Sequence, residues 1–283
     1  MASVKVTKIG SLEFTSENTT NNDPYIIALF ADENCGKTRF CLTGPDGVGC
    51  LPLEMKAYVT LDKDSQIFGR RIFKPKDPKD LLVPTRKVQA MTPVDQQKFY
   101  KAHVEKIKNA AYALLEHKDV NLLMIDKFTT FCQLIEFAVN GVTDPTINVN
   151  GSYFKPRGEM NQNIIDFIGS LSEFGKPVIL TNASKPDYDV LGPDKKPLRA
   201  TWDGFKYLGS HCNIVCELRD NKFWDPKKSG EKFEWHYELA VRRCQKNPDL
   251  EGPIGNPLLR DESIMLPQLI QAVDENVDLS KWM

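Results

Sequence analysis

The stretch Tyr25–Phe40, "YIIALFADENCGKTRF", joins an apolar run of strand length to a turn that closes on Gly36-Lys37-Thr38. Strand, polar loop and Gly-Lys-Thr in this order match a phosphate-binding loop, whose pattern is G-x-x-x-x-G-K-[ST]. Ala31 stands where the pattern has its first glycine. That position is the exit from strand to loop, where a small residue suffices if its φ is negative, so alanine is permitted. A chance match to [AG]-x-x-x-x-G-K-[ST] in a chain of this length is on the order of 2% from average composition. The apolar strand directly before the loop supplies the context the chemistry requires.

Such a loop works because backbone N–H groups between a strand and a helix converge on phosphate oxygens, a lysine neutralises the β and γ phosphates, and a hydroxyl takes a place on Mg²⁺. The nucleotide-binding residues expected here are Asp32, Glu33, Asn34, Cys35, Gly36, Lys37, Thr38 and Arg39, with Lys37 and Thr38 in the last two roles. An acidic partner for the metal is expected at the end of an apolar strand beside the loop strand, and "NLLMID" offers Asp126. A base for an attacking water is expected as well. Glu54 closes "GCLPLE", read as the strand next to the loop strand, and Glu136 on the helix after Asp126 is the alternative. The strand "KPVILTN" is expected beside the loop strand, presenting Thr181 or Asn182 as sensors of the γ phosphate. Arg219, Arg242 and Arg243 are candidates for a finger residue reaching a neighbouring subunit's nucleotide, set against ordinary ion pairs or solvation.

The rest of the 283-residue chain reads as α/β. The alternating "VKVTKIGSLEF" predicts a short edge strand before the core. "KTRFCLTG" is a short helix, because Gly44, Pro45, Gly47 and Gly49 stop it. Thr92 and Pro93 open a helix of several turns with Phe99, His103, Val104, Ile107, Ala111, Leu114 and Leu115 on its apolar side. Further helices are expected over "TTFCQLIEFAVNG" and "EMNQNIIDFIGSLSEFG", separated by a loop over 142–158. After "KPVILTNAS" comes a long loop, 184–205, then strands in "SHCNIVCELRD" and "EKFEWHYELAVRRC", a Pro/Gly-rich tail and a short C-terminal helix. Strands alternating with helices imply a mainly parallel, helix-flanked sheet, with antiparallel strands toward the C-terminus. The division read from this order is an N-terminal strand and loop over 1–23, one domain over 24–265 and a tail over 266–283.

Composition narrows the function classes. A formal net charge of −1 gives no overall attraction to nucleic acid or anionic membrane, so any such contact needs a local patch. The most basic stretch is 70–87, with seven basic and two acidic residues. The loop over 184–205 interleaves Lys185, Lys195, Lys196 and Arg199 with Tyr188 and Trp202, a mixture suited to phosphate contact and base stacking, though nearby aspartates nearly cancel its charge. Seven cysteines, an odd number without a CxxC pair, read as reduced buried thiols of a cytoplasmic protein. No apolar stretch approaches the roughly 20 residues of a bilayer span.

Taken in order, "FADENCGKT", "GCLPLE", "LLMIDKF", "VILTNA" and "VRRCQKNPDLEGP" resemble the bacteriophage AAA-type, RecA-like P-loop ATPases of recombination modules, over about 24–265. The resemblance implies a RecA-like fold, ATP and Mg²⁺ as cofactors, Glu54 as the water-activating glutamate and action on single-stranded DNA in recombination or replication. It also implies DNA contacts from the loops over 142–158 and 184–205, a homo-oligomer or filament, phage partner proteins, and a place in the host cytoplasm with no membrane. The sequence departs from the family at Ala31, and at Lys127-Phe128, where small or hydroxyl residues are frequent. Two other classes stay open: a nucleotide-binding structural or loader subunit with little turnover, and a P-loop small-molecule kinase. Arg199 is the one arginine in the long loop, where such kinases carry an arginine-rich lid.

Overall fold

The apolar run before Ala31 forms a central strand buried on both faces, which is why it shows no polar alternation. The computed structural model describes residues 5–9, 12–16, 25–140, 154–189, 191, 194–196, 200–220, 237–251, 256–261 and 264–282. In chain order the strands are β1 (Lys5–Ile9), β2 (Leu12–Ser16), β3 (Ile26–Ala31), β4 (Val48–Pro52), β5 (Ile72–Phe73), β6 (Leu122–Asp126), β7 (Val178–Pro186), β8 (Ala200–Trp202), β9 (Ile214–Asp220), β10 (Tyr237–Cys244) and β11 (Asn256–Asp261). The helices are α1 (Lys37–Leu42), α2 (Met55–Phe68), α3 (Thr85–Gln89), α4 (Pro93–Glu116), α5 (Phe128–Asn140), α6 (Phe154–Ser172), α7 (Leu208–His211) and α8 (Leu266–Val273).

Among the described residues nine strands make one sheet in the order β11-β10-β9-β3-β7-β6-β4-β5, with β8 paired to β7. From β9 to β5 every pairing is parallel. The pairs β9/β10, β10/β11 and β7/β8 are antiparallel. This is the mainly parallel, helix-flanked arrangement expected from the sequence, with its antiparallel strands toward the C-terminus.

Alternate side chains of the core strands feed two hydrophobic layers. Ile26, Ala28 and Phe30 of β3, Leu123 and Ile125 of β6 and Leu180 of β7 pack under α4, α5 and α6. Ile27, Leu29, Met124, Ile179 and Cys216 pack on the other face under α1 and α8, where Leu266, Leu269 and Ile270 of α8 are buried. All seven cysteines are buried and free. Among the described residues no helix is long and apolar enough to cross a membrane.

Several sequence expectations need correction. The strand "KPVILTN", β7, does lie beside β3 as expected, but the strands that end at Asp126 and near Glu54 do not: β6 is one strand further and β4 beyond it. Glu54 does not end a strand but stands at the N-cap of α2, a helix over 55–68 to which the sequence reading assigned no element. The predicted edge strand is a separate antiparallel pair, β1 with β2. Residues 154–158, assigned to a loop, open α6, and 141–153 lie outside the described residues. The long loop over 184–205 is partly a hairpin, with Ser184 opposite Trp202 and Pro186 opposite Ala200. β11 adds a strand in the Pro/Gly-rich stretch. Strands covered on both faces are all uniformly apolar, so the pattern that marks a strand carries no record of its neighbours.

α4 shows why its first turn was legible. Pro93 sits at the first helical position, and Thr92 Oγ1 accepts from the Asp95 N–H at 3.2 Å. Its buried face includes Gln96 and Tyr100, rotated slightly from the expected Phe99 and Leu114. His103 is buried on this face with Nε2 2.8 Å from the Leu81 carbonyl oxygen, and burial lowers its pKa below the ordinary 6.5. The unfolded chain therefore takes up this proton at a higher pH than the fold does. Stability is expected to fall as pH drops below about 6.5, and His103→Gln should flatten that slope. Urea midpoints of both proteins between pH 7 and pH 5 check it, and parallel curves would exclude His103 as the cause.

Candidate nucleotide-binding site

The parallel strands of the core end along one edge of the sheet, with Pro52 of β4 opposite Asp126 of β6 and Ala31 of β3 opposite Ala183 of β7. Ligands of open α/β sheets bind outside the carboxyl ends of the strands, and the expected residues gather at this edge. Ala31 is an ordinary last residue of β3, while Asn34 and Gly36 take the positive φ values, 66° and 80°. The turn that the first glycine serves elsewhere is thus made further along the loop.

Lys37 is buried, its ammonium donating to the carbonyls of Ala31 at 2.9 Å and Asp32 at 3.0 Å. Burial, with Lys127 contributing, lowers its pKa, and the carboxylate of Asp126 opposes the shift. Thr38 Oγ1 donates to Asp126 Oδ2 at 3.2 Å. The other oxygen of Asp126 accepts from Thr181 Oγ1, and that hydroxyl in turn accepts from the Lys127 N–H at 3.0 Å. Asp126 and Thr181 are both buried. The Asp126 carboxylate and Thr38 line a cleft of about 480 Å³, together with Gly36, Glu54, Lys127 and Tyr237.

Across that cleft Glu54 accepts from Thr130 Oγ1 at 3.4 Å and lies 3.5 Å from the Lys127 ammonium. Lys127 is also 3.6 Å from Glu33 of the loop, which Lys56 approaches at 3.6 Å as well. Lys127 first, and Lys56 after it, hold the Glu33 carboxyl below its usual range. Arg39 leaves the loop to pair with Asp64 at 3.1 Å. A smaller apolar slot of about 130 Å³ shares Cys35, Gly36 and Arg39 with the cleft and is walled by Phe40, Phe68 and Tyr237. Glu136 is on α5 and does not line the cleft.

Asn182 is buried, with Thr129 Oγ1 3.2 Å from its Oδ1. Arg219 pairs with Glu217 and Glu238, each at 2.6 Å, and Arg242, whose side chain is largely enclosed, pairs with the same Glu217 and donates to the Ala200 carbonyl at 3.1 Å. Arg242 and half-buried Arg243 line a separate cavity of about 230 Å³ with Trp202. Trp202 packs edge-on to Phe30 and donates its indole N–H to the Phe205 carbonyl at 2.8 Å. Lys185 pairs with Asp203 at 3.3 Å and Lys196 with Asp194 at 3.5 Å; Lys195 is exposed, and Arg199 lies outside the described residues. The hairpin is tied to the loop by Ser184 Oγ, which donates to Asp32 Oδ1. Lys127, Thr129, Thr130 and Ser184 join these contacts without belonging to any motif of the sequence. The first three stand in the "DKFTT" that follows the β6 apolar run, the one local signal available for them.

Mg²⁺ takes oxygen ligands and keeps several waters, so it needs only one or two protein groups. The Thr38 hydroxyl and Asp126 carboxylate are such a pair. No cluster of three or more His, Cys, Asp or Glu able to hold a metal occurs among the described residues. No protein-family model and no curated protein matches the chain. Among solved structures it is similar to the KaiC-like protein PH0186 from the hyperthermophilic archaeon Pyrococcus horikoshii OT3, at 12% identity and a TM-score of 0.38, over 79% of this chain and 81% of that chain.

Proposed function

We propose that the protein is a Mg²⁺-dependent ATPase of RecA-like type. The observation that carries this reading is the convergence at the strand edge of segments up to 144 residues apart: Thr38 and Thr181 both hydrogen-bond to Asp126, and the Lys37 ammonium is held beside them by the loop carbonyls of Ala31 and Asp32. In it Lys37 neutralises the phosphates, and Thr38 and Asp126 hold the metal, which when bound offsets charge on the phosphate oxygens. Glu54, held by Thr130 and Lys127, takes the proton of the attacking water. The apolar slot beside Tyr237 receives the base.

The polymer acted on is proposed to be single-stranded DNA, in recombination or replication, by an oligomer or filament. Support comes from the resemblance of the sequence and from the β7–β8 hairpin, which carries Lys185 and is joined to the loop through Ser184 and Asp32. Phosphate release is the test. Hydrolysis is expected with Mg²⁺, lost with excess chelator, and raised several-fold by single-stranded DNA. Absence of stimulation removes the DNA role, and a phosphorylated small acceptor in place of free phosphate would make the protein a kinase.

A further inference from the structure

Lys127 follows Asp126 directly and has a φ of 65°. A lysine occupies this left-handed region when its surroundings hold it there. Two contacts do so: its N–H donates to Thr181 Oγ1 at 3.0 Å, and its carbonyl accepts from the Thr130 N–H at 2.8 Å. From this corner the ammonium reaches both walls of the cleft, 3.6 Å from Glu33 Oε1 in the loop and 3.5 Å from Glu54 Oε2. The Lys127 side chain is 20% exposed, whereas that of Glu33 is 66% exposed. Its charge acts on Lys37 as well, adding to the downward shift there. Of the other cations lining the cleft, Lys37 is held by the carbonyls of Ala31 and Asp32, Arg39 pairs with Asp64, and Lys56 lies 3.6 Å from Glu33. Arg219, Arg242 and Arg243 do not line it.

We propose that Lys127 is a catalytic cation supplied by the same chain: when a nucleoside triphosphate binds, its ammonium exchanges Glu33 for the terminal phosphate and keeps Glu54 as its second partner. The assignment rests on the nucleotide reading above. Exchange is favoured because an exposed ion pair such as Lys127–Glu33 contributes little, while a phosphate offers a charge-assisted bond in a more enclosed place. During hydrolysis the water oxygen bonds to the γ phosphorus, its proton passes to Glu54, and the bond to the β-phosphate oxygen breaks, so that inorganic phosphate and ADP leave. Lys127 balances the charge on the γ oxygens and holds Glu54 against that group. A diphosphate has no group for Lys127 to take, so the residue also sets the preference for triphosphate.

The test compares wild type, Lys127→Met and Lys127→Arg for affinity toward ADP and a non-hydrolysable ATP analogue, and for turnover. Lys127→Met is expected to bind ADP within about threefold of wild type, to lose roughly tenfold or more of the preference for the analogue, and to turn over at least ~100-fold more slowly, while Lys127→Arg retains most of both. A Lys127→Met protein that keeps preference and turnover overturns the assignment. So does one that loses affinity for both ligands alike, since that would mark a role in shaping the loop. If wild type binds both ligands and Lys37→Ala binds neither, the nucleotide reading stands whatever Lys127 does. If wild type binds neither, both fall together.

Discussion

Lys37→Ala is expected to lower kcat/KM for ATP by at least ~10³-fold, about 4 kcal/mol of transition-state stabilisation, with ATP binding weakened in parallel. The size follows from position. The Lys37 ammonium is buried under the loop, bound by the carbonyls of Ala31 and Asp32, and faces Asp126. A charge so enclosed interacts with phosphate at a lower effective dielectric than one on the surface. Truncation also frees two loop carbonyls, at about 1 kcal/mol per lost bond, so the fold should survive with a modestly lower melting temperature. Calorimetric titration with ATP, phosphate release and a melting curve on the same sample separate the two effects. Retention of more than a tenth of wild-type turnover would place hydrolysis elsewhere.

The second large effect is expected at Glu54. Glu54→Gln keeps an oxygen to accept from Thr130 but loses the carboxylate and the ion pair with Lys127. Loss of a general base of this kind slows turnover by about 10²–10⁴-fold. ATP affinity should change little, because Lys37, Thr38 and the loop backbone are untouched. Single-turnover hydrolysis alongside equilibrium binding reads the split directly. Turnover that survives the substitution would show that the water is activated by another group, and Glu136 is poorly placed to be that group because it does not line the cleft.

The candidate site was legible where its chemistry is local. Gly36-Lys37-Thr38 after an apolar strand, and an Asp closing "LLMID", are contiguous patterns whose side chains the fold brings within 3.2 Å of each other. Ala31 raised a doubt that the backbone resolves, since the positive φ values fall on Asn34 and Gly36. Glu54 was found by its place in the chain but misread as a strand end, because Leu53-Glu54 continues an apolar run past the last paired residue of β4, Pro52. α2 went unassigned for a related reason: Met55, Val59 and Ile67 are exposed, so its apolar positions mark no single buried stripe.

What the sequence by itself determined is the type and order of the core elements and the identity of the loop, because strand length, glycine placement and helix capping act over a few residues. Only the tertiary structure decided which strands are neighbours. A doubly covered strand is apolar throughout, so three strands were expected beside β3 and only the fold shows that β7 takes the place while β6 and β4 stand further out. The partners of the charges were decided there too. Arg219 and Arg242 meet at Glu217 through the pairing of β9 with β10, and Lys127 reaches Glu33 and Glu54 from a left-handed corner between β6 and α5. Long charged side chains find partners across space rather than along the chain, so a lysine that reads as a departure from the expected pattern stands in the fold between the loop and the carboxylate that faces it.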